Sequence, residues 1–183
     1  LFCLHGSSAV FRLSLAAASR ALAAGIPMTL VDGTNRFDVY YIADFARRLA
    51  GRSMHGRQRT PEEFLDNIFI SRAFTCFQMQ ALLDDTRSMP QPHIILDMLA
   101  TFYDEQVREG EVRRLLDACL RQVERLAGTA PVLLAIPPAR TAALRRAIAE
   151  AELVEVGDAH ALRREDLLLD PLLEPRRGER HGP

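Results

Sequence analysis

The chain has 183 residues, 48% of them hydrophobic, which suits one globular domain with a sizeable core and leaves no room for a second complete domain. No apolar run is long enough to cross a bilayer, so we expect no membrane partner, and three separated cysteines without a C-x-x-C pair predict neither a disulfide framework nor a zinc site. The formal net charge of −1 removes any argument for nucleic-acid binding from bulk electrostatics, and a reducing cytoplasm is the expected location.

Short apolar runs alternate with amphipathic segments along the chain, which is the pattern of βαβ units. The sequence therefore predicts an α/β fold of three layers, with a mostly parallel twisted sheet and helices on both faces. The predicted strands are Leu1–Leu4, Met28–Val31, Ile68–Ser71, His93–Asp97, Pro131–Ile136 and Leu153–Val156. The predicted helices are Phe11–Ala24, Val39–Leu49, a short one from Pro61 to Asn67, Phe77–Asp84, Glu109–Leu126 and Ala139–Ala151.

The domain organisation follows from where this alternation stops. Residues 1–157 form the predicted core domain, and residues 158–183 form a C-terminal tail. Beyond Asp170 the tail is rich in Pro, Arg and Gly, so we expect it to be partly disordered. Asp104 and Glu105 are predicted to begin the helix that follows them, where the helix dipole favours acidic side chains. Since the chain starts at Leu1 rather than at Met, we also expect further residues upstream.

The loop after the first predicted strand has the spacing of a phosphate loop without its chemistry. A phosphate loop reads G-x-x-x-x-G-K-[ST], in which the second Gly admits phosphate, the Lys reaches it and the hydroxyl holds magnesium. Counting from Gly6, those three places hold Phe11, Arg12 and Leu13, and the chain contains no lysine. The sequence therefore predicts that hydrolysis of ATP is lost, that no residue is catalytic, and that neither a metal nor a cofactor is required.

Several residues near this loop are still candidates for contacts with a nucleotide. Arg12 could hold phosphate with its guanidinium fork at the start of a helix, or it could be an ordinary helix-face arginine. Asp97 would emerge from a buried strand into the crevice where open α/β sheets bind ligands, as a remnant of a metal site or as a structural group. The candidate nucleotide-binding remnants are His5, Gly6, Ser7, Ser8, Arg12 and Asp97.

The order of these motifs resembles the RecA-type core of the P-loop ATPases, in particular its recombinase and KaiC-like branch. The most specific match is Pro61–Ile68, PEEFLDNI, followed by Ile70–Thr75, ISRAFT, which is similar to a passage of the recombinases. Thr29–Gly33 looks like the second strand of that family and His93–Asp97 like its Walker B strand. Val132–Ile136 looks like the strand that ends in a polar phosphate-sensing residue. The likeness spans roughly residues 1–156.

The resemblance implies a RecA-like P-loop fold and also marks departures from an active ATPase. In an active relative, the residue at Asp97 would help to hold magnesium. Pro137 and Pro138 stand where the family has its polar sensor. The catalytic carboxylate that normally follows the second strand has no clear match: Asp32 and Asn35 are the candidates, and the formation of a turn accounts for both residues equally well.

Partners are implied in two ways. Active relatives assemble into filaments or rings, so the resemblance implies a protein partner, either a second copy of this chain or a RecA-like paralogue. DNA is the other possible partner, because a basic stretch without acidic residues could follow a phosphate backbone, although a solvated loop in an arginine-rich protein gives the same pattern. The arginines of this stretch are Arg47, Arg48, Arg52, Arg57 and Arg59.

Three functions are therefore compatible with the sequence. The first is a catalytically inactive RecA-like domain, a pseudo-ATPase, that acts as an accessory or interaction protein in DNA recombination or repair. The second is an unorthodox ATP-binding enzyme that uses Arg12 and Asp97. The third is a DNA-binding module that acts through the basic stretch from residue 47 to residue 59. The process assignment rests on the fold analogy alone.

Overall fold

A computed structural model describes residues 1–7, 9–50, 60–103, 107–141, 145 and 155–158. Within these residues, the chain is an α/β protein built on one sheet of six parallel strands. The predicted helix Ala139–Ala151 lies largely outside the described residues, as do the loop 51–59 and residues 159–183 of the predicted tail.

The strands and helices alternate as the hydrophobic pattern predicts, with boundaries shifted by one or two residues. The strands are β1 (Phe2–His5), β2 (Met28–Asp32), β3 (Ile68–Arg72), β4 (His93–Leu96), β5 (Val132–Ile136) and β6 (Glu155–Asp158). The helices are α1 (Ala9–Ala23), α2 (Val39–Ala50), α3 (Pro61–Leu65), α4 (Cys76–Asp85) and α5 (Glu109–Ala127). A 3₁₀ helix, Met98–Phe102, follows β4 and was not predicted.

The spatial order of the strands is β3-β2-β4-β5-β1-β6. From β1 the chain moves to β2 and then to β3 at one edge, and it returns through β4 and β5 toward the other edge. α1, α2 and α3 lie on one face of the sheet, while α4 and α5 lie on the other. This is the arrangement that right-handed crossovers require when the direction of travel reverses. The prediction of three layers with helices on both faces is confirmed.

Two hydrophobic cores fill the space between the sheet and its helices, because alternate residues of each strand point to opposite faces. On β4, Ile95 packs against α4 and α5, whereas Ile94 and Leu96 pack against α1. All three residues are buried, as expected for a strand covered on both sides. The central strand β4 is therefore interior on both faces, whereas β3 at one edge exposes Phe69 and Ile70.

The helix starts follow local capping chemistry. Thr60 caps α3 through a capping box, in which its hydroxyl accepts from the Glu63 amide and the Glu63 carboxylate accepts from the Thr60 amide. Thr75 caps α4 by accepting from the Gln78 amide. α5 begins at Glu109, after its N-cap residue Arg108, and Asp104 and Glu105, which were predicted to begin this helix, lie outside the described residues.

Candidate functional site

The carboxyl ends of β2 and β4 bring two aspartates together. β2 and β4 are neighbours and pair in parallel, with Asp32 opposite Leu96, so Asp97 follows directly beside Asp32. Both residues are buried, Asp32 at 0% and Asp97 at 3% relative exposure. A buried carboxylate needs compensating hydrogen bonds or charges, and the chain supplies them differently at the two positions.

Asp32 is held by the turn that follows its own strand. One carboxylate oxygen accepts from the amides of Thr34 and Arg36, at 3.2 and 2.9 Å, and the other accepts from the Phe37 amide at 3.0 Å. The guanidinium of Arg72, at the end of β3, lies 3.6 Å from the second oxygen. Within this turn Asn35 has a φ of 57°, in the left-handed region that Asn tolerates. Asp32 and Asn35 thus shape the turn between β2 and α2.

Asp97 is the most unusual residue of the site. Its backbone is left-handed, with φ 51° and ψ 41°, which is uncommon for a residue with a side chain and carries a strain of about 1–2 kcal/mol. Its Oδ2 accepts from the Thr34 hydroxyl at 2.9 Å, whereas its buried Oδ1 has no hydrogen-bond partner among the described residues. Backbone strain and an unsatisfied buried oxygen on one residue are features that concentrate at functional sites.

The guanidinium of Arg36 lies close to both Asp97 and Phe11. Its Nε lies 3.7 Å from Asp97 Oδ2, and its central carbon lies 5.2 Å from the centre of the Phe11 ring, a cation–π contact. Phe11 is 6% exposed and belongs to the core beneath α1. Phe11, which the sequence analysis compares with a phosphate-loop glycine, is therefore a buried aromatic ring, and the half-exposed Arg36 lies on it.

Gly33 allows the turn after β2 to lie close to the backbone of Asp97. Its amide donates to the Leu96 carbonyl at 2.8 Å, so the turn after β2 lies directly against the backbone of β4. A Cβ added at Gly33 would be 2.4 Å from the Asp97 carbonyl oxygen, a distance that no real contact has. Only glycine fits here, because the opposing atom belongs to the backbone and cannot rotate away.

The crevice at the carboxyl ends of β2 and β4 is formed by Asp32, Asp97, Arg36 and Arg72, so it holds equal numbers of acidic and basic side chains. Two buried carboxylates, Asp32 and Asp97, each have one half-exposed guanidinium at close distance, Arg72 and Arg36 respectively. Ion pairs of this kind have a strongly asymmetric energy, since removing one partner leaves a buried charge uncompensated. The crevice therefore has no surplus positive charge from these four residues to attract an anion.

The loop after β1 uses its polar groups for its own structure. Gly6 has a φ of 148°, which favours glycine, and it is buried. Ser7 Oγ accepts from the Ala9 amide at 3.4 Å, and the Ser7 carbonyl accepts from the Val10 amide at 3.1 Å. Two amides at the start of α1 are thus bonded locally. His5, at the end of β1, is half-buried, and Ser8 lies outside the described residues.

Among the described residues, the ion pairs of Asp97 and Asp32 are formed with Arg36 and Arg72 and not with Arg12. Arg12 is exposed on α1, and its charge acts on Tyr41 of α2, where it lowers the pKa of the phenol against the larger effect of burial, which raises it. Leu13, which the sequence analysis compares with a magnesium-binding hydroxyl, is half-buried and packs against the core beneath α1. The guanidinium that reaches Asp97 belongs to Arg36, which the sequence analysis did not single out.

The arginines of the basic stretch fall into two groups. Arg47 and Arg48 belong to the last turn of α2, and both form ion pairs with Asp44 on the same helix. These pairs neutralise part of the charge at the start of the stretch. Arg52, Arg57 and Arg59 lie outside the described residues.

Two further searches cover the described part of the chain. None of the helices described is long and apolar enough to cross a membrane. No group of three or more His, Cys, Asp or Glu side chains among the same residues could hold a metal ion.

Comparison with known proteins adds no relative: no family model matches this chain, and no curated protein matches it either.

Sequence reasoning found Asp32, Asn35 and Asp97 and missed the residues that join them. The sequence analysis did not single out Thr34 or Arg36, and it included Gly33 and Arg72 only as parts of stretches that resemble a family. The available signal was the position of this turn directly after a buried strand, because such turns lie at the carboxyl edge of a parallel sheet. The contacts of these turn residues with Asp97 depend on β2 and β4 being neighbours in the sheet. The order of strands cannot be read from the local sequence pattern.

Proposed function

We propose that this chain is a RecA-like pseudo-ATPase domain, a catalytically inactive member of that fold that acts as an accessory or interaction protein in DNA recombination or repair. One observation carries the proposal: Arg36 lies over the buried Phe11 ring and 3.7 Å from Asp97, at the place where a phosphate loop would face a Walker B aspartate. The assignment to recombination or repair rests on the sequence resemblance alone.

The residues present do not fit a magnesium-bound triphosphate. Phe11 replaces the glycine that would admit phosphate, and Leu13 offers no oxygen to a metal. Arg36 already supplies Asp97 with a positive charge, so a cation would compete with a guanidinium fixed by two contacts. Two amides at the start of α1 are bonded within the loop rather than open to an anion. Each of these features argues against hydrolysis of a nucleotide at this site.

The strain and the unsatisfied oxygen at Asp97 support descent from a site with a function. Neither is needed for a simple strand end, where an extended residue and a solvent-exposed side chain would suffice. The half-exposed Arg36 side chain contacts both Phe11 and Asp97 without any ligand between them. The domain would thus keep the fold and its surfaces while nucleotide binding is lost.

The proposal is tested by calorimetric titration of the full chain with ATP and magnesium, with tripolyphosphate as a matched anion without a base. We expect no saturable binding of ATP up to millimolar concentrations and no phosphate release above background. Micromolar binding of ATP, together with a turnover that Asp97→Asn abolishes, would overturn the proposal in favour of an unorthodox ATPase. Equal binding of ATP and tripolyphosphate would indicate a general anion site and would equally contradict a closed crevice.

A further inference from the structure

The amino end of β4 buries a histidine side chain. His93 begins this strand and is 1% exposed. Because side chains alternate along a strand and Ile95 belongs to the core on the side of α4 and α5, the imidazole of His93 lies on that side as well. Neither of its ring nitrogens has a hydrogen bond of acceptable geometry among the described residues. A buried imidazole in this state favours its neutral form, since an imidazolium would have two unsatisfied N–H donors.

The segment of residues 86–92, which leads from α4 into β4, is clamped at its outer half by one side chain of α5. Arg125 donates to the Thr86 carbonyl at 2.8 Å and to the Ser88 hydroxyl at 2.6 Å. Residues 87–90 are exposed. Two contacts of a single guanidinium therefore attach this part of the segment to α5.

The inner end of the same segment is attached to the sheet instead. The side-chain amide of Gln91 donates to the Thr29 hydroxyl at 2.7 Å, and the Thr29 backbone amide donates to the Pro92 carbonyl at 3.0 Å. These bonds do not involve Arg125. The outer half of the segment can therefore leave α5 while its inner end stays bonded to β2.

The guanidinium that clamps the segment also acts on His93. Burial lowers the pKa of His93, the backbone of Met89 in the segment opposes this effect, and the positive charge of Arg125 lowers the pKa as well. The residues opposite His93 on β2 and β5 are the uncharged Thr29 and Val132. The other charged residues of α4, the segment and the end of α5 are exposed and are not among the causes of this shift: Asp84, Asp85, Arg87, Arg121 and Glu124.

A proton on His93 is therefore penalised twice in the closed arrangement. The imidazolium would lose its hydration without gaining acceptors, and it would add a second positive charge close to Arg125. The outer half of the 86–92 segment can yield at least cost, because it is exposed and its bonds to α5 come from that same guanidinium. The strands beside His93, in contrast, are held by regular parallel pairing. Movement of the segment would admit water to the ring and separate the two charges.

We propose that His93 and Arg125 form an acid-sensitive switch, in which a proton on His93 weakens the Arg125 clamp and releases the outer half of the 86–92 segment from α5. The switch lies at the amino end of the sheet, whereas Asp97 and Arg36 lie at the carboxyl end. It therefore goes beyond the proposed function and does not depend on it.

Amide hydrogen exchange of the full chain, followed by NMR, tests the release. The Thr86 amide, which bonds to the Leu82 carbonyl at the end of α4, reports on the segment. The Gly33 amide, which bonds to the Leu96 carbonyl at the carboxyl end of the sheet, is the internal reference. As pH falls from 6.5 toward the folded pKa of His93, the protection of Thr86 relative to Gly33 should decrease by up to about tenfold per pH unit, because the open state takes up a proton.

Two histidine variants assign this pH dependence. His93→Leu cannot take up a proton and should make the ratio of the two protection factors independent of pH. His5→Gln removes a different histidine, at the end of β1, and should retain the pH dependence of the wild type. A ratio that does not change with pH in the wild type, or one that still falls in His93→Leu, would overturn the proposal.

Arg125 variants test the other half of the switch without changing the histidine. Arg125→Gln removes the positive charge, so the His93 ring, titrated by NMR, should have a midpoint closer to 6.5, and Thr86 should lose protection already at neutral pH. Arg125→Lys keeps the charge and should leave the midpoint nearer that of the wild type. A midpoint that is the same in Arg125→Gln and the wild type would overturn the coupling. None of these measurements uses a nucleotide, so their outcome is independent of the calorimetric titration with ATP.

Discussion

Single residues decide how closely the crevice is packed. Gly33 lets the turn after β2 lie on the backbone of β4, and Asp97 adopts a left-handed conformation to receive it. Thr34 then bonds to the Asp97 carboxylate. Because the closest atom to Gly33 is a backbone carbonyl oxygen, no side-chain rotation can relieve a substitution at this position.

Gly33→Ala should therefore lower the free energy of unfolding by about 1–3 kcal/mol, the usual cost of overpacking. The measurement is urea denaturation followed by circular dichroism. Gly110→Ala is the matched control, because a Cβ at Gly110 in α5 meets nothing within 4 Å. It should raise stability by about 0.5–1 kcal/mol through helix propensity. Equal effects of the two substitutions would contradict the close approach of the Gly33 turn to Asp97.

At the scale of elements, one polar side chain of α5 bonds to the end of α4. Arg125 of α5 donates to the carbonyls of Leu83 and Thr86, at 3.0 and 2.8 Å, and to the Ser88 hydroxyl at 2.6 Å. The last carbonyls of a helix lack intrahelical partners, so this guanidinium acts as the C-cap of α4 from a neighbouring helix. It also fixes the chain that leads from α4 into β4.

Arg125→Ala should cost about 1–2 kcal/mol of unfolding free energy, because three acceptors lose a charged donor at a partly exposed site. Arg125→Lys keeps the charge without the planar fork and should give an intermediate loss. Arg121→Ala, one turn earlier on the exposed side of α5, serves as the control and should change stability by less than about 0.5 kcal/mol. Thermal denaturation of the three variants measures this order, and a loss in Arg121→Ala equal to that in Arg125→Ala would contradict it.

At the scale of the whole molecule, the two ends of the parallel sheet differ. The carboxyl end holds the balanced aspartates and arginines, whereas the amino end of β4 buries His93 at 1% relative exposure. Neither ring nitrogen of His93 has a hydrogen bond of acceptable geometry within the described chain. Burial lowers the pKa of His93, Arg125 adds to this effect, and the Met89 backbone opposes it only in part. The native state therefore favours the neutral imidazole.

Because folding lowers the pKa of His93, the free energy of unfolding should decrease in mild acid. The unfolded histidine titrates near 6.5 and the folded one lower, so the contribution is complete above pH 6.5 and is lost as pH falls toward the folded pKa. The loss is at most about 1.4 kcal/mol per pH unit.

Urea denaturation between pH 7.5 and 5 should show this slope in the wild type. His93→Leu should flatten the slope, and His5→Gln, the matched loss of another histidine, should retain it. An unchanged slope in His93→Leu would exclude His93 as its source.

The strand and helix positions were predictable because each depends on residues close in sequence. The apolar run of β4, the capping box at Thr60 and the left-handed Gly25 after α1 act over a few residues, and the structure places these elements within one or two residues of the prediction. The 3₁₀ helix after β4 was not predicted, because it is too short to show a hydrophobic periodicity in the sequence. It begins directly after Asp97, whose backbone is left-handed.

The sequence by itself determined the class of fold, a parallel sheet between two layers of helices, and the identity of Phe11 at the position compared with a phosphate-loop glycine, because these depend on local periodicity and on single residues. Only the tertiary structure decided that Arg36 contacts both Phe11 and Asp97. The contact joins positions far apart in the chain, and it exists because β2 lies beside β4 while α1 covers the same end of the sheet. Strand order is a property of the whole packed chain, since each crossover must bury its own helix against a sheet that the other crossovers complete.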